Sequence, residues 1–198
     1  MNRLKERGRP REFDPDQALD QAMVVFRQKG FHAASVADLG AAMNLTAGSI
    51  YKAFKDKRTL FLQVFERYTS QRNAQLQQRL MPCATGREKV AELLRFYLDS
   101  TRELEGRRGC LVVGSATEIQ VLDKELSALV HRAITRNKAF LAALVRQGQT
   151  DGSIAAGLNI DVVAELILCI AFGMRVVGKV ENLSDREATI NLALKLLD

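Results

Sequence analysis

SVADLGAAMNLTAGSIYKAF, residues 35–54, reads as two short helices joined by a tight turn. Ser35 followed three residues later by Asp38 is an N-cap signature: serine oxygen and carboxylate can each take a backbone N–H left free at a helix start. That helix ends near Met43. Asn44 then stands where the chain must turn sharply, and asparagine is one of the few non-glycine residues that tolerate a left-handed backbone. Thr46 caps a second helix, with Ile50, Ala53 and Phe54 toward the core and Ala47, Gly48, Ser49, Tyr51, Lys52 and Lys55 outward. A small, polar, basic outer face suits the major groove of DNA, which is about 12 Å wide and admits one helix.

Working outward toward the amino terminus, residues 1–11 hold Arg3, Lys5, Arg7, Arg9 and Arg11 against Glu6 alone. Five cations less one anion put four of the six net positive charges of the chain in this arm. Alone, such a run reads as a solvated tail; beside a helix-turn-helix it reads as a phosphate or minor-groove contact. Between arm and motif, Asp14-Pro15-Asp16-Gln17 opens a helix, with Asp14 as cap, Pro15 in the first turn and Gln17 completing a capping box. Its apolar stripe is Ala18, Leu19, Ala22, Val25 and Phe26; Lys29 and Gly30 end it, and Phe31 covers the small core.

On the carboxyl side, Asp56 caps a long helix whose apolar residues Leu60, Phe61, Val64, Phe65 and Tyr68 recur at helical spacing to about Leu80. Pro82 to Gly86 is a break. A fifth helix follows with Val90, Leu93, Leu94, Tyr97 and Leu98, interrupted at Gly106 to Gly109; Leu111 to Ile119 is a short sixth, and Leu126 to Leu144 marks a long seventh. Strand alternation and hairpin turns are nearly absent, which predicts an all-α fold of about nine helices. The parts are a basic arm (1–12), a three-helix helix-turn-helix head (13–56) and a helical body (57–198). From Asp161 to Lys179 the chain is apolar nearly all round, and 185–197 carries leucines on two sides. A second buried surface is then needed, supplied either by a wholly internal position or by a symmetry mate; the second predicts a homodimer through 161–179 and 185–197.

Three cysteines, Cys83, Cys110 and Cys169, stand far apart with no metal-ligand spacing, which points to a reducing compartment and no metal site. No secretion leader opens the chain, and the most apolar run, Leu166 to Met174, is far short of the roughly 20 residues that span a bilayer. A cytoplasmic protein without membrane or cofactor is the expectation. An enzyme is disfavoured: His32 and His131 are far apart, and neither a nucleophile elbow nor a phosphate-binding glycine loop is present.

GRPREFD before the first helix, F-x-x-K-G-F from Phe26 to Phe31 and GSIYKAFKDKRTLF from Gly48 to Phe61 together resemble the TetR family of one-component transcriptional regulators. GCLVVGSATE, Gly109 to Glu118, is similar to one subgroup of that family. Two departures stand out, Gly40 for the usual alanine and Asn44 for the usual glycine; helix propensity assigns the first a cost of up to about 1 kcal/mol. The resemblance implies a DNA-binding head, a dimerising body that holds an effector, and repression of a palindromic operator released on effector binding.

For DNA contact the candidates are Arg7, Arg9 and Arg11 of the arm with Ser35, Thr46, Ala47, Gly48, Ser49, Tyr51, Lys52 and Lys57. Tyr51 reads alternatively as a packing residue. For the effector pocket they are Tyr68, Phe96, Tyr97, Cys110, Ile119, Phe140 and Phe172, each otherwise plain core, and the effector is a small apolar molecule or an oxidant or electrophile. Cys110 follows Arg107 and Arg108 near a helix start, which favours a reactive thiolate, while the burial typical of cysteine favours a structural role; the similar subgroup includes members that sense reactive species through cysteine. An architectural DNA binder without an effector is the competing class, and the long apolar body is more than that role requires.

Overall fold

The computed structural model describes residues 13–183 and 185–198, so the arm with Arg7, Arg9 and Arg11 lies outside the described residues. What is described is helical throughout: α1 (Pro15–Ala33), α2 (Val36–Met43), α3 (Ala47–Phe54), α4 (Lys57–Leu80) and α5 (Gly86–Asp99). After these come α6 (Glu103–Arg108), α7 (Leu111–Thr117), α8 (Lys124–Asp151), α9 (Ile160–Val180) and α10 (Arg186–Leu194), with single 3-10 turns at Ile119–Val121 and Lys195–Leu197.

The helix starts follow local chemistry. Asp14 accepts the N–H groups of Asp16 and Gln17 at 2.9 and 3.4 Å, Thr46 accepts that of Ser49 at 3.2 Å, and Asp56 accepts that of Thr59 at 2.6 Å. Ser35 and Asp38 form the full reciprocal box, as do Thr85 and Glu88 at the head of α5. Gly30 ends the regular part of α1 where expected; its φ of 79° and ψ of 176° kink the chain, and a further turn of helix runs on to Ala33.

Three expectations shift. Asp14 caps α1 without the reciprocal box expected from Gln17. The interruption placed at Gly106–Gly109 begins earlier, at Ser100–Arg102, and Gly106 sits inside α6, the one helix the sequence did not announce. It is a packing glycine: a Cβ there would lie 2.0 Å from the Thr101 carbonyl oxygen and 2.8 Å from that of Gly178 on α9. Ala53, expected inward, is exposed, leaving Ile50 and Phe54 as the buried side of α3.

Two apolar cores are strung along α4. Its first half, Leu60 to Tyr68, joins Phe26, Leu39 and Ile50 of the head, and the same cluster takes in Leu111 from α7 and Leu126 and Val130 from α8. Phe26, Phe31 and Phe61 meet at its centre, with ring centroids 5.0 Å apart from Phe61 to each of the others. Leu76 and Leu80 belong instead to the body core with Leu94, Leu141, Ile167 and Ile190. α9 buries one face, including Val163, Ile167, Ala171 and Met174, so it is not internal to a single subunit; Val162, Leu166 and Val176 on the other side are exposed. Among the described residues no helix is long and apolar enough to cross a membrane.

Candidate nucleic-acid interface and body cavity

The turn between α2 and α3 is set by Asn44, whose φ of 53° and ψ of 44° are left-handed, and by the Leu45 N–H donating to the Gly40 carbonyl at 2.9 Å. α3 is thereby held with Ile50 and Phe54 under it and its other face bare: Thr46, Ala47, Gly48 and Lys52 are exposed, and Tyr51 is 50% exposed. Ser35 is exposed at the start of α2, and its hydroxyl is tied to Asp38 at 2.7 Å. Ser49 is half-buried, 3.0 Å from the Thr46 hydroxyl. Lys29 lies 2.6 Å from Asp38; that contact, with the Ser35 bonds, holds the Asp38 carboxyl well below the usual carboxylate range.

Lys57 is engaged elsewhere than the sequence suggested. Its ammonium donates to the carbonyls of Phe31 and Ala34, each at 3.0 Å, and sits 4.7 Å from the centre of the Phe31 ring. It collects the carbonyls left over at the end of α1 and fixes the start of α4 against them. A phosphate contact would have to share it with these groups.

Long-range ties from body to head were not foreseen. The Glu118 carboxylate, just past α7, accepts the N–H of Phe31 at 3.0 Å and fills the space beside Gly30, where a Cβ would come within 1.8 Å of it. Arg27 of α1 donates to the Gly109 carbonyl at 2.9 and 2.7 Å and pairs with Glu105 at 2.8 Å. Arg67 of α4 pairs with Asp16 and Asp20 of α1, while within the body Arg58 of α4 pairs with Asp123 and Glu125 at the start of α8. No sequence signal marks these pairs, because the partners are tens of residues apart.

In the body, α4, α5, α7, α8 and α9 surround a cavity of about 180 Å³. Six of the seven expected residues line it: Tyr68, Phe96, Tyr97, Cys110, Phe140 and Phe172. Ile119 does not; it lies in the 3-10 turn beyond the far end of α7, away from the Cys110 and Val112 end that meets the cavity, and packs half-buried on the head core. The lining also holds side chains that apolar periodicity could not reveal: Arg72, Arg136 and Arg175, with Asn73 and Asn137. Arg72 stacks its guanidinium 3.9 Å from the Phe96 ring centre and donates to the Ser100 hydroxyl at 2.6 Å. Burial pushes the Tyr68 and Tyr97 hydroxyls far above their ordinary value, so both stay neutral donors at any physiological pH. Cys110 is half-buried at the cap position of α7, beside the Tyr68 hydroxyl. Among the described residues no group of three or more His, Cys, Asp or Glu side chains is placed to hold a metal ion.

Two family models match this chain. The family model described as bacterial regulatory proteins, tetR family, matches residues 18–64, and that described as tetracyclin repressor-like, C-terminal domain, matches residues 86–190. The HTH-type transcriptional repressor ComR of Escherichia coli is 28% identical over 87% of this chain and 82% of its own length. The HTH-type transcriptional regulator YezE of Bacillus subtilis is 27% identical over 96% of this chain and 100% of its own length. A solved cysteine variant of the TetR-family regulator CifR, complexed with 26-bp operator DNA, superposes with a TM-score of 0.80 at 31% identity, covering 96% of this chain and 98% of that one.

Proposed function

Since this chain belongs to the tetR family of bacterial regulatory proteins and so is a DNA-binding regulator rather than a member of an enzyme family, we propose that it represses transcription as a two-fold dimer on a palindromic operator. The observation that carries this reading is the bare face of α3, with Thr46, Ala47, Gly48, Tyr51 and Lys52 presented together while Ile50 and Phe54 anchor the helix from below. Lys52 and the arm cations Arg7, Arg9 and Arg11 neutralise phosphates; Tyr51, Thr46 and Ser35 fix register; Ala47 and Gly48 permit close approach. CifR, similar over nearly the whole chain, was solved in complex with operator DNA, which supports a DNA partner for this fold.

Dimerisation rests on the outer face of α9. Val162, Leu166, Cys169, Gly173, Val176 and Val180 follow one another at alternating intervals of four and three residues, all are exposed, and Leu192 of α10 and Leu196 of the 3-10 turn after it present a second exposed pair. Such a stripe is a helix-packing seam with one side missing, and two copies about a two-fold axis complete it as four helices. Recognition helices set about 34–36 Å apart then meet successive major grooves.

The body cavity is the effector site in this reading. α7 runs from it, at Cys110 and Val112, to Glu118 and hence to Phe31. Occupation that moves α7 is passed through Glu118 and Arg27 to α1 and shifts the population toward heads out of register with the operator. A second way to fill the same role is oxidation or alkylation of Cys110 in the cavity wall; a Cys110→Ser protein with an unchanged response to oxidants removes it. Such a regulator works in the cytoplasm, where its operator is.

The deciding experiment is fluorescence anisotropy with the palindromic segment upstream of its own gene. Salt-dependent, sequence-specific binding by a dimer supports the proposal; binding that does not distinguish this DNA from random duplex points to an architectural role.

A further inference from the structure

Three guanidinium groups line the body cavity, those of Arg72, Arg136 and Arg175, and among the described residues no carboxylate does. Arg136 is exposed and keeps its water, and Arg72 is satisfied by Ser100 and Phe96. Arg175 is different. It is 3% exposed, its Nη1 is buried without a hydrogen-bond partner, and its Nη2 reaches only the Glu105 carbonyl oxygen at 3.4 Å. The Glu105 carboxylate is itself taken by Arg27 at 2.8 Å and Arg108 at 3.1 Å. Desolvation lowers the affinity of Arg175 for its proton, with Arg72 and Arg27 adding repulsion, while Cys110 and Tyr68 act in the opposite direction. A guanidinium remains protonated even so, and burying one with no counter-charge is costly unless something regularly supplies that charge.

The remaining walls say what the counter-charge is attached to. Leu93, Tyr97, Phe140, Leu168 and Phe172 form an apolar lining, and Tyr97 packs edge to face on Phe96 and lies 6.2 Å from Phe172. Building on the cavity as effector site, we propose that the effector is an organic acid: an apolar body seated among these side chains, with its carboxylate paired to Arg175. The planar fork of the guanidinium matches a carboxylate bidentately, and the neutral Tyr68 and Tyr97 hydroxyls are donors to the same anion. The acid brings the charge that the fold omits, so its affinity comes from relieving an existing penalty as well as from the new contacts.

The test is calorimetry on the full-length protein with straight-chain carboxylic acids of increasing length, each against the primary amide of the same chain. At least one acid binds tighter than its amide by about tenfold or more, and that acid also releases the operator fragment. Arg175→Met abolishes the acid-over-amide preference and raises the melting temperature of the ligand-free protein, because an unpaired buried charge is gone; Arg175→Lys folds with the charge kept and retains part of the preference. An amide that binds as tightly as its acid overturns the proposal and leaves the cavity as an effector site for neutral molecules. An acid preference that survives Arg175→Met overturns the role of Arg175. Binding of no member of either series overturns both the acid and the effector cavity.

Discussion

An alanine at position 40 would put its Cβ 2.7 Å from the Leu45 carbonyl oxygen, a backbone atom that can move only if the turn opens. Helix propensity alone calls Gly40 a weakness and predicts a gain of up to about 1 kcal/mol for Gly40→Ala. The packing reverses the sign: Gly40→Ala lowers the melting temperature, by a net loss on the order of 1 kcal/mol, as thermal denaturation of the two proteins will read. Gly40 and Asn44 belong together, the first giving room to a turn that the second holds in left-handed geometry. Asp38 carries a second test at this scale. Its folded carboxyl titrates below its ordinary 3.8 because of Lys29 and Ser35, so its contribution is complete above that value and disappears as pH falls through the lower one. The melting-temperature gap between wild type and Asp38→Asn is therefore flat near neutrality and narrows on acidification below about pH 4. Both caps were legible from spacing, since a cap and its N–H groups are three residues apart. Lys57 was not: its partners at Phe31 and Ala34 come near only when α1 and α4 cross.

Among elements, α7 matters beyond its seven residues because it touches the cavity at one end and the head at the other. Besides the apolar packing of Leu111 and the Arg27–Gly109 bonds at its start, its far end is tied to the head by the carboxylate of Glu118. Glu118→Ala leaves the partly buried Phe31 N–H without its acceptor and lowers stability by about 1–3 kcal/mol. Amide hydrogen exchange at Phe31 and His32 speeds up more than exchange in α9, and uniform acceleration would mean that Glu118 supports the fold at large and not this joint. Element existence was readable wherever an apolar stripe ran for several turns, as in α4, α8 and α9. α6 was missed because its six residues, ELEGRR, carry no stripe, and its place is decided by how closely Gly106 and Gly178 allow it to approach α9. The aromatic part of the cavity was legible as residue type; its arginines carried no signal, because nothing local distinguishes a buried guanidinium from an exposed one.

At the scale of the whole molecule, most of the exposed large apolar side chains among the described residues lie on α9 and the helical end that follows it. In the proposed dimer, a charge at the middle of this stripe opposes its own copy across the two-fold seam. Leu166→Glu therefore sediments as a monomer at micromolar concentration and binds the operator at least about a hundredfold more weakly, with its helix content unchanged. An unaltered dimer would move the interface to another face. Sequence periodicity showed that this region needs two buried faces, but not that one of them is left open, since a stripe facing a partner and a stripe facing its own core have the same spacing.

The shared core along α4 bears on how such a protein can be retargeted. Leu60, Phe61, Val64 and Phe65 pack under the recognition motif and simultaneously against Leu111, Leu126 and Val130. A hybrid that splices foreign residues 13–56 onto this body inherits mismatched upholstery beneath the reading helix. Grafts joined beyond Tyr68, carrying matched replacements at Leu111 and Leu126, are the ones that should keep the head folded while its DNA preference is changed.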